Sequence, residues 1–369
     1  MPIHYHEGKF PPINLDWQKL IPLLGPASAA LARYDGILGA IPSPAVLLSP
    51  LSTQEAVLSS RIEGTQATMG EVLEFEAGQA PVLEERREDI HEILNYRAAM
   101  RRAEELLQSL PFSLRVIRES HNVLLDGVRG QNKAPGEFRR VQNWIGPPGC
   151  TMENAHYIPV SAEKLPDFLT SWEKFANSEY PDVLVQLALL HAEFEALHPF
   201  LDGNGRLGRM IIPLFLWQKG LIRQPMFYIS AFFESHRDTY YDGLLAVSKN
   251  DDWTGWCRFF LQAVQAQAED NMKKAQDILA LYNKLKTQVP ELTHSQYAPK
   301  ALDWIFGQPI FNHSAFIASS GIPEPTAKRI LSVLESAGIL KILMPGRGRR
   351  PTVVTFPALL NIAEGKELF

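Results

Sequence analysis

Between residues 198 and 209 the chain reads HPFLDGNGRLGR, which gathers a histidine, a carboxylate, an amide, three glycines and two guanidinium groups. Those types at that spacing suit an anion with a proton acceptor beside it. Gly203 and Gly205 flank Asn204, so successive main-chain N–H groups can point to one side as an anion nest. A helix opening near Arg206 would add the positive end of its dipole. Arg206 and Arg209, three apart, project from the first turn of that helix. Asp202 is a hard oxygen ligand of the kind Mg²⁺ takes beside phosphate. His198, closing the preceding segment, could face the same pocket as a general base. Together these residues make a polyphosphate site with a proton acceptor.

The string G-x-G-x-x-G at Gly203, Gly205 and Gly208 also occurs in dinucleotide-binding βαβ units, but that use needs a strand in front of it. Here the preceding residues, VLVQLALLHAEFEALH (183–198), space Leu184, Leu187, Leu190, Phe194 and Leu197 as one helix face. No GxxxxGK[ST] string occurs elsewhere. His191, Glu195 and His198 fall at i, i+4 and i+7, which could hold zinc. Without an HExxH string or cysteine ligands, His198 is assigned to the nest, and Glu195 is expected to hydrogen-bond the turn that follows.

The elements that must position these groups are mostly helices over residues 17 to 285. The segment RLGRMIIPLFLWQKG (206–220) is apolar nearly all round, as at the centre of a bundle, with Pro213 expected to kink or end it. Two helices are expected between Tyr240 and Lys286. Two stretches break the pattern: FRRVQNWIGPPGCTMENAHYIPV (138–160) and ILMPGRGRRPTVVTF (342–356), each with β-prone pieces around a turn-rich tip, read as hairpins. Residues 295–369 hold eight Lys/Arg and five Asp/Glu, a net +3 inside a chain of net charge −5. Helix, helix and basic hairpin there make the layout of a winged helix. GIPEPTAKRIL would be its recognition helix, and Arg347, Arg349 and Arg350 the tip of its wing, residues that can meet DNA phosphates.

Composition narrows the rest. Two cysteines, Cys150 and Cys257, far apart, argue against a disulfide framework and for a reducing compartment. No apolar run reaches membrane-spanning length, and the opening residues lack the basic start and apolar run of a signal peptide, so a cytoplasmic protein without membrane contact is expected.

HPFLDGNGRLGR matches the Fic family motif, HxFx(D/E)GNGRxxR, at every defined position. The segment AHYIPVSAEKLPDFLTSWEKF resembles the family's stretch after its substrate-binding flap. ISAFFESHRDTYYDGLLAV and DDWTGWCRFFL are similar to its closing helices. LARYDGILGAIPSPAVLLSPLSTQEAVLSSRIEGTQAT resembles the N-terminal region of self-inhibited members.

The resemblance implies a protein adenylyltransferase that moves AMP from ATP to a Ser, Thr or Tyr hydroxyl of a target, itself included. His198 would deprotonate the hydroxyl, and Phe200 would anchor the loop. Asp202 would hold Mg²⁺; Gly203, Asn204, Gly205 and Arg206 would cradle phosphate; Arg209 would hold the γ-phosphate. The 139–158 hairpin would pin the target by strand addition. Fic-like proteins also include a kinase and a phosphocholine transferase, but Gly205, Arg206 and Arg209 are all present, which favours AMP transfer.

The string SSRIEGT (59–65) fits the family's inhibitory motif, (S/T)xxxE(G/N), through Ser59, Glu63 and Gly64. Glu63 would sit in the last turn of a helix stopped by Gly64, where the helix dipole disfavours a carboxylate unless a cation relieves it. The resemblance implies that the cation is Arg209, and that Ser59 bonds near the phosphates or packs.

The expected fold is therefore mainly α: a Fic-type helical bundle with a β-hairpin flap, plus a C-terminal winged-helix domain. Expected boundaries are 1–105 for an N-terminal region with the inhibitory motif, 106–285 for the catalytic core and 295–369 for the winged helix. The competing reading is a DNA-binding regulator whose Fic core senses nucleotide. A homodimer stays open.

Overall fold

The computed structural model describes residues 2–79, 81, 83–348, 350–367 and 369. The chain divides into two units: Met1–Asp35, Leu58–Thr65 and Leu94–Glu269 in one, Gly36–Val57, Gln66–Ile93 and Asp270–Phe369 in the other. The architecture is mainly helical, with two small sheets.

The first unit is built around the helix Val183–Leu197, in which every residue except Val183 and Glu195 is buried. Enclosure on all sides is why its polar residues Gln186, His191 and Glu193 are buried too, each with a hydrogen-bond partner. Asp182 starts it, its carboxylate accepting from the N–H groups of Leu184 and Val185 at 2.8 and 3.0 Å. Leu165–Ala176, Asn204–Gln218 and Arg237–Asn250 pack against it. Buried Trp172 and Trp256 each spend their indole N–H on its carbonyls, at Leu190 and Ala188. Pro213 lies inside Asn204–Gln218 without ending it. The two helices expected near 240–286 are Arg237–Asn250 and Trp253–Thr293.

The 138–160 segment folds back on itself through one antiparallel bridge, Ile145 with Tyr157, around a turn of 3-10 helix at Met152–Asn154. The strand Tyr157–Ile158 also has a second neighbour. Ile3–His4 runs parallel along it, Ile3 opposite Tyr157 and His4 opposite Ile158.

In the second unit, Ala298–Gly307, His313–Ser319 and Glu324–Ser336 accompany a three-stranded antiparallel sheet. Its central strand, Val353–Thr355, is buried along its length, with Ile310–Asn312 on one edge and Lys341–Met344 on the other. The hairpin expected at 342–356 is formed by Lys341–Met344 and Val353–Thr355, and its tip is closed by a bridge from Arg347 to Arg350. Arg349 lies outside the described residues. Residues from the N-terminal third belong to this unit too: Asn312 donates to the carbonyl of Ala77 at 3.0 Å, and Met69–Glu76 begins with a capping box of Thr68 and Glu71.

Candidate active site

His198 terminates the helix Val183–Leu197 in the left-handed conformation, φ 45° and ψ 60°. A residue with a Cβ adopts it only when its surroundings compel it. Two side chains from the flap do so. Arg139 Nε donates to the His198 carbonyl at 3.0 Å and Asn143 Nδ2 to the same oxygen at 3.1 Å. Arg139 Nη2 also reaches the carbonyl of Leu197 at 3.2 Å. Its guanidinium, 3% exposed as a residue, thus caps the negative end of the helix dipole. Burial holds its pKa down to about 10.

The His198 ring donates from Nδ1 to the carbonyl of Glu195 at 3.4 Å, which leaves Nε2 as an acceptor. Burial lowers its pKa to about 4, against the upward pull of the Glu63 carboxylate. The imidazole is therefore neutral at pH 7 and able to take a proton.

The turn after it is held from beneath. Phe200 is fully buried, and its main-chain N–H and carbonyl are both taken by the Asn204 side chain, at 2.8 and 2.9 Å. Asn204 therefore closes the turn with its amide and faces an anion only with its main-chain N–H. His121 stacks on Phe200 at 3.7 Å. It donates from Nε2 to the Asp202 carbonyl and accepts at Nδ1 from the Gly136 N–H, both at 2.9 Å. Burial takes its pKa down to about 4, and the acceptor role of Nδ1 requires that neutral form.

Gly203 is left-handed, φ 76°, and the helix Asn204–Gln218 starts directly after it. The first-turn N–H groups of that helix have no intrahelical partner. A carboxylate sits beside that turn: a Cβ added to Gly205 would meet Glu63 Oε1, so glycine makes the seat. Glu63 Oε1 accepts from Arg209 Nη2 at 2.7 Å. Arg209, 1% exposed, also donates from Nη2 to the Ser59 carbonyl at 2.8 Å and from Nε to the Ser59 hydroxyl at 2.9 Å. Burial alone would raise the Glu63 carboxyl; Arg209, with Arg206 and His198, outweighs it and holds the pKa below the ordinary carboxylate value. Glu63 stands just past the helix Ser49–Ile62, and Gly64 makes the turn at φ 104°. The Ile62 carbonyl at that helix end accepts from Arg237 Nη2 at 2.6 Å.

At the mouth of the pocket Asp202, its side chain 41% exposed, lies 3.6 Å from Arg206 Nη2. An open carboxylate beside an anion seat is a donor set that suits Mg²⁺. Glu195 differs from expectation: its Oε1 is buried without a hydrogen-bond partner rather than bonded to the turn. It presses on Gly208, where a Cβ would lie 2.1 Å away. Burial raises its pKa to about 8, Arg209 opposing and Glu63 adding to the rise. Both ring nitrogens of His191 are engaged, with the Gly208 carbonyl at 3.0 Å and the Tyr240 hydroxyl at 2.9 Å.

The structure thus brings Ser59, Glu63, His198, Asp202, Gly203, Asn204, Gly205, Arg206 and Arg209 together around one helix start. His121, Arg139, Asn143 and Arg237 escape the sequence reading. Arg139 and Asn143 fall in the segment read as a hairpin, but nothing in an alternating pattern marks residues that serve a distant helix end.

Comparison with known proteins agrees with this geometry. The model of the Fic/DOC family N-terminal region matches residues 21–105, and that of the Fic/DOC family matches residues 111–216. "Protein adenylyltransferase Fic" from Drosophila willistoni is 29% identical over 166 residues, 43% of this chain and 30% of that protein. Its counterpart from Drosophila melanogaster is 28% identical over 166 residues, 43% of this chain and 31% of that one. The match therefore spans under a third of the length of these relatives. Among solved structures, a Fic family protein from Desulfovibrio desulfuricans superposes with a TM-score of 0.61 over 94% of this chain and 98% of its own, at 19% identity. Fic-1 from C. elegans gives 0.51 over 73% of each chain, at 20% identity. At such identities the likeness is one of fold.

Proposed function

The chain belongs to the Fic/DOC family, and on that premise we propose that it is a protein adenylyltransferase carrying its own brake. The observation that carries the reading is a neutral His198 standing beside a helix N-terminus whose first two turns bear Arg206 and Arg209. In the proposed reaction the phosphates of ATP lie over Gly203, Asn204 and Gly205, with Arg206 on their charge and Arg209 on the γ-phosphate. The target hydroxyl oxygen bonds to the α-phosphorus while the bond from that phosphorus to the β-bridging oxygen breaks. Pyrophosphate leaves, and the hydroxyl proton passes to His198 Nε2. Asp202 would hold Mg²⁺, which would supply charge neutralisation to the phosphates. The protein's own share is position and a prearranged field, the usual terms of phosphoryl-type transfer.

Glu63 is the brake. Its carboxylate takes Arg209 and the space over Gly205, the place the γ-phosphate needs. ATP entering with Glu63 in place is held in a pose that does not align the α-phosphorus with the target hydroxyl. Relatives named protein adenylyltransferases support AMP, rather than another phosphoryl group, as the cargo.

The test is mass spectrometry of wild type, Glu63→Gly and His198→Ala after incubation with ATP and Mg²⁺. An AMP-sized increment on Glu63→Gly, weak on wild type and absent once His198 is replaced, supports base and brake together. No gain on any variant or on added lysate proteins removes the transferase reading.

A second reading rests on the second unit. Its order of helix, strand, two helices and a hairpin with Arg347 and Arg350 at the tip supports a winged-helix reading. In that reading the chain is a DNA-binding regulator and the Fic core reports nucleotide. Salt-dependent DNA binding that changes with ATP, and a His198→Ala chain with unchanged effect in cells, would favour it.

A further inference from the structure

The strand Tyr157–Ile158 has two edges, and both are filled. Ile145 occupies one, its N–H donating to the Tyr157 carbonyl at 2.9 Å while its own carbonyl accepts from the His156 N–H at 2.8 Å. The chain's own residues 3–5 occupy the other: the Ile3 N–H donates to the His156 carbonyl and the Tyr5 N–H to the Ile158 carbonyl, both at 3.0 Å.

That second neighbour is bolted down by a buried polar chain. The Tyr5 hydroxyl donates to Glu193 Oε1 at 2.6 Å, and His6 Nε2 meets Glu193 Oε2 at 2.8 Å. His6 Nδ1 meets the Ser248 hydroxyl at 2.8 Å. That hydroxyl donates to the Tyr157 hydroxyl at 3.3 Å, and the Tyr157 hydroxyl donates to the Ala196 carbonyl at 3.1 Å. The side chains of His6 and Glu193 are 0% exposed. The chain of bonds therefore runs from residues 5 and 6 through the flap strand to the helix that ends at His198. A fully satisfied buried network of this kind fixes one geometry. With one residue of slip, Tyr157 would point to the opposite face.

We propose that Ile3–Glu7 is part of the target-binding apparatus, setting the register of the flap so that an extended target segment adds along Val141–Trp144. The inference rests on the adenylyltransferase reading. Val141 to Trp144 offers such a segment main-chain donors: its N–H groups have no partner among the described residues, whereas the Val141 and Asn143 carbonyls already accept from Arg139 Nη1 and Gln142 Nε2. It is also next to the chemistry, since Asn143 holds the His198 carbonyl. The partner is an extended polypeptide that offers main-chain carbonyls to those donors.

The test uses Glu63→Gly as the active parent and the His198→Ala chain as the protein substrate in trans. Ile3→Pro removes one donor to the flap strand, and His6→Ala cuts the polar chain. Both raise the KM for the protein substrate ~10-fold, about the worth of one or two hydrogen bonds. The ATP Kd by calorimetry stays as in the parent. His6→Gln, which keeps one polar contact, recovers part of the loss, and amide exchange quickens at residues 145 and 156–158. An unchanged KM despite faster exchange overturns the proposal, as does an equal loss of ATP binding, which marks a merely structural role. No transfer by the unaltered parent sinks the adenylyltransferase reading itself, and this proposal with it; that failure appears before residues 3–6 are touched.

Discussion

Arg209 Nη2 and Glu63 Oε1 stand 2.7 Å apart although 146 positions separate them in the chain. The same guanidinium takes the hydroxyl and the carbonyl of Ser59, so three acceptors on one short segment satisfy one buried cation. Planar, forked donors are what such a set demands, and a phosphate can take over the same fork. On the proposed reading the pair exchanges with the γ-phosphate.

Glu63→Gly should raise AMP transfer on the order of 10- to 100-fold, because a charge-assisted hydrogen bond of ~1.5–3 kcal/mol no longer competes with the γ-phosphate. Initial rates with radiolabelled ATP measure it. Equal rates in the two proteins would end the brake hypothesis.

Arg237 holds the end of the segment that carries the proposed brake through the Ile62 carbonyl. Arg237→Ala should loosen that segment and raise basal transfer a few-fold, the effect of one bond of ~1 kcal/mol. In the Glu63→Gly background the same change should do nothing, since the brake is already gone. A double-mutant cycle reads the coupling, and additive effects would sever Arg237 from the brake.

His198 is neutral well below pH 7 because its burial disfavours the imidazolium. The kcat/KM profile of the Glu63→Gly protein should be flat from about pH 6 to 8, where a free histidine, with a pKa of ~6.5, would bend it. His198→Ala should lower the rate by ~10²–10⁴. An acid limb near pH 6.5 would mean that the base is not held as the structure holds it.

Glu195 keeps its proton in the fold, with a pKa of about 8, and loses it when the chain unfolds. A raised carboxyl pKa costs stability as pH climbs from the unfolded value toward the folded one. Glu195→Gln mimics the protonated form, so its melting temperature should exceed that of wild type at pH 8, the gap shrinking toward pH 4.5. Calorimetry at the two pH values checks it, and a constant gap would show that Glu195 is ionised in the folded protein.

Two short strings carried most of what the sequence could say about the site. HPFLDGNGRLGR and SSRIEGT are contiguous, so local chemistry and resemblance located their residues directly. The mainly helical fold was legible from the 3.6-residue spacing at 183–198 and 206–220. The network of Tyr5, His6, Glu193, Ser248 and Tyr157 was not. Each is a single polar residue, none belongs to a periodic pattern, and the fold alone joins them across up to 242 positions. His121 likewise stands outside every motif in the sequence, and the fold alone brings it to the Asp202 carbonyl. Asn204 looked like part of an anion cradle, and only the structure shows its amide spent on Phe200.

Gly205 leaves room for the Glu63 carboxylate, and that has a consequence for how such a chain can drift. A side chain at position 205 evicts Glu63, but it also fills the space a phosphate needs. Loss of Arg209 frees Glu63 and discards the group that would hold the nucleotide. On the proposed reading, both of these lesions on the catalytic side lift the restraint and disable the reaction together. Variants that lift it and keep the reaction then fall in the short stretch 59–64 and in the groups that hold the Ile62 carbonyl, Arg237 and Tyr241, so spontaneous gain of activity has a small mutational target while loss has a large one.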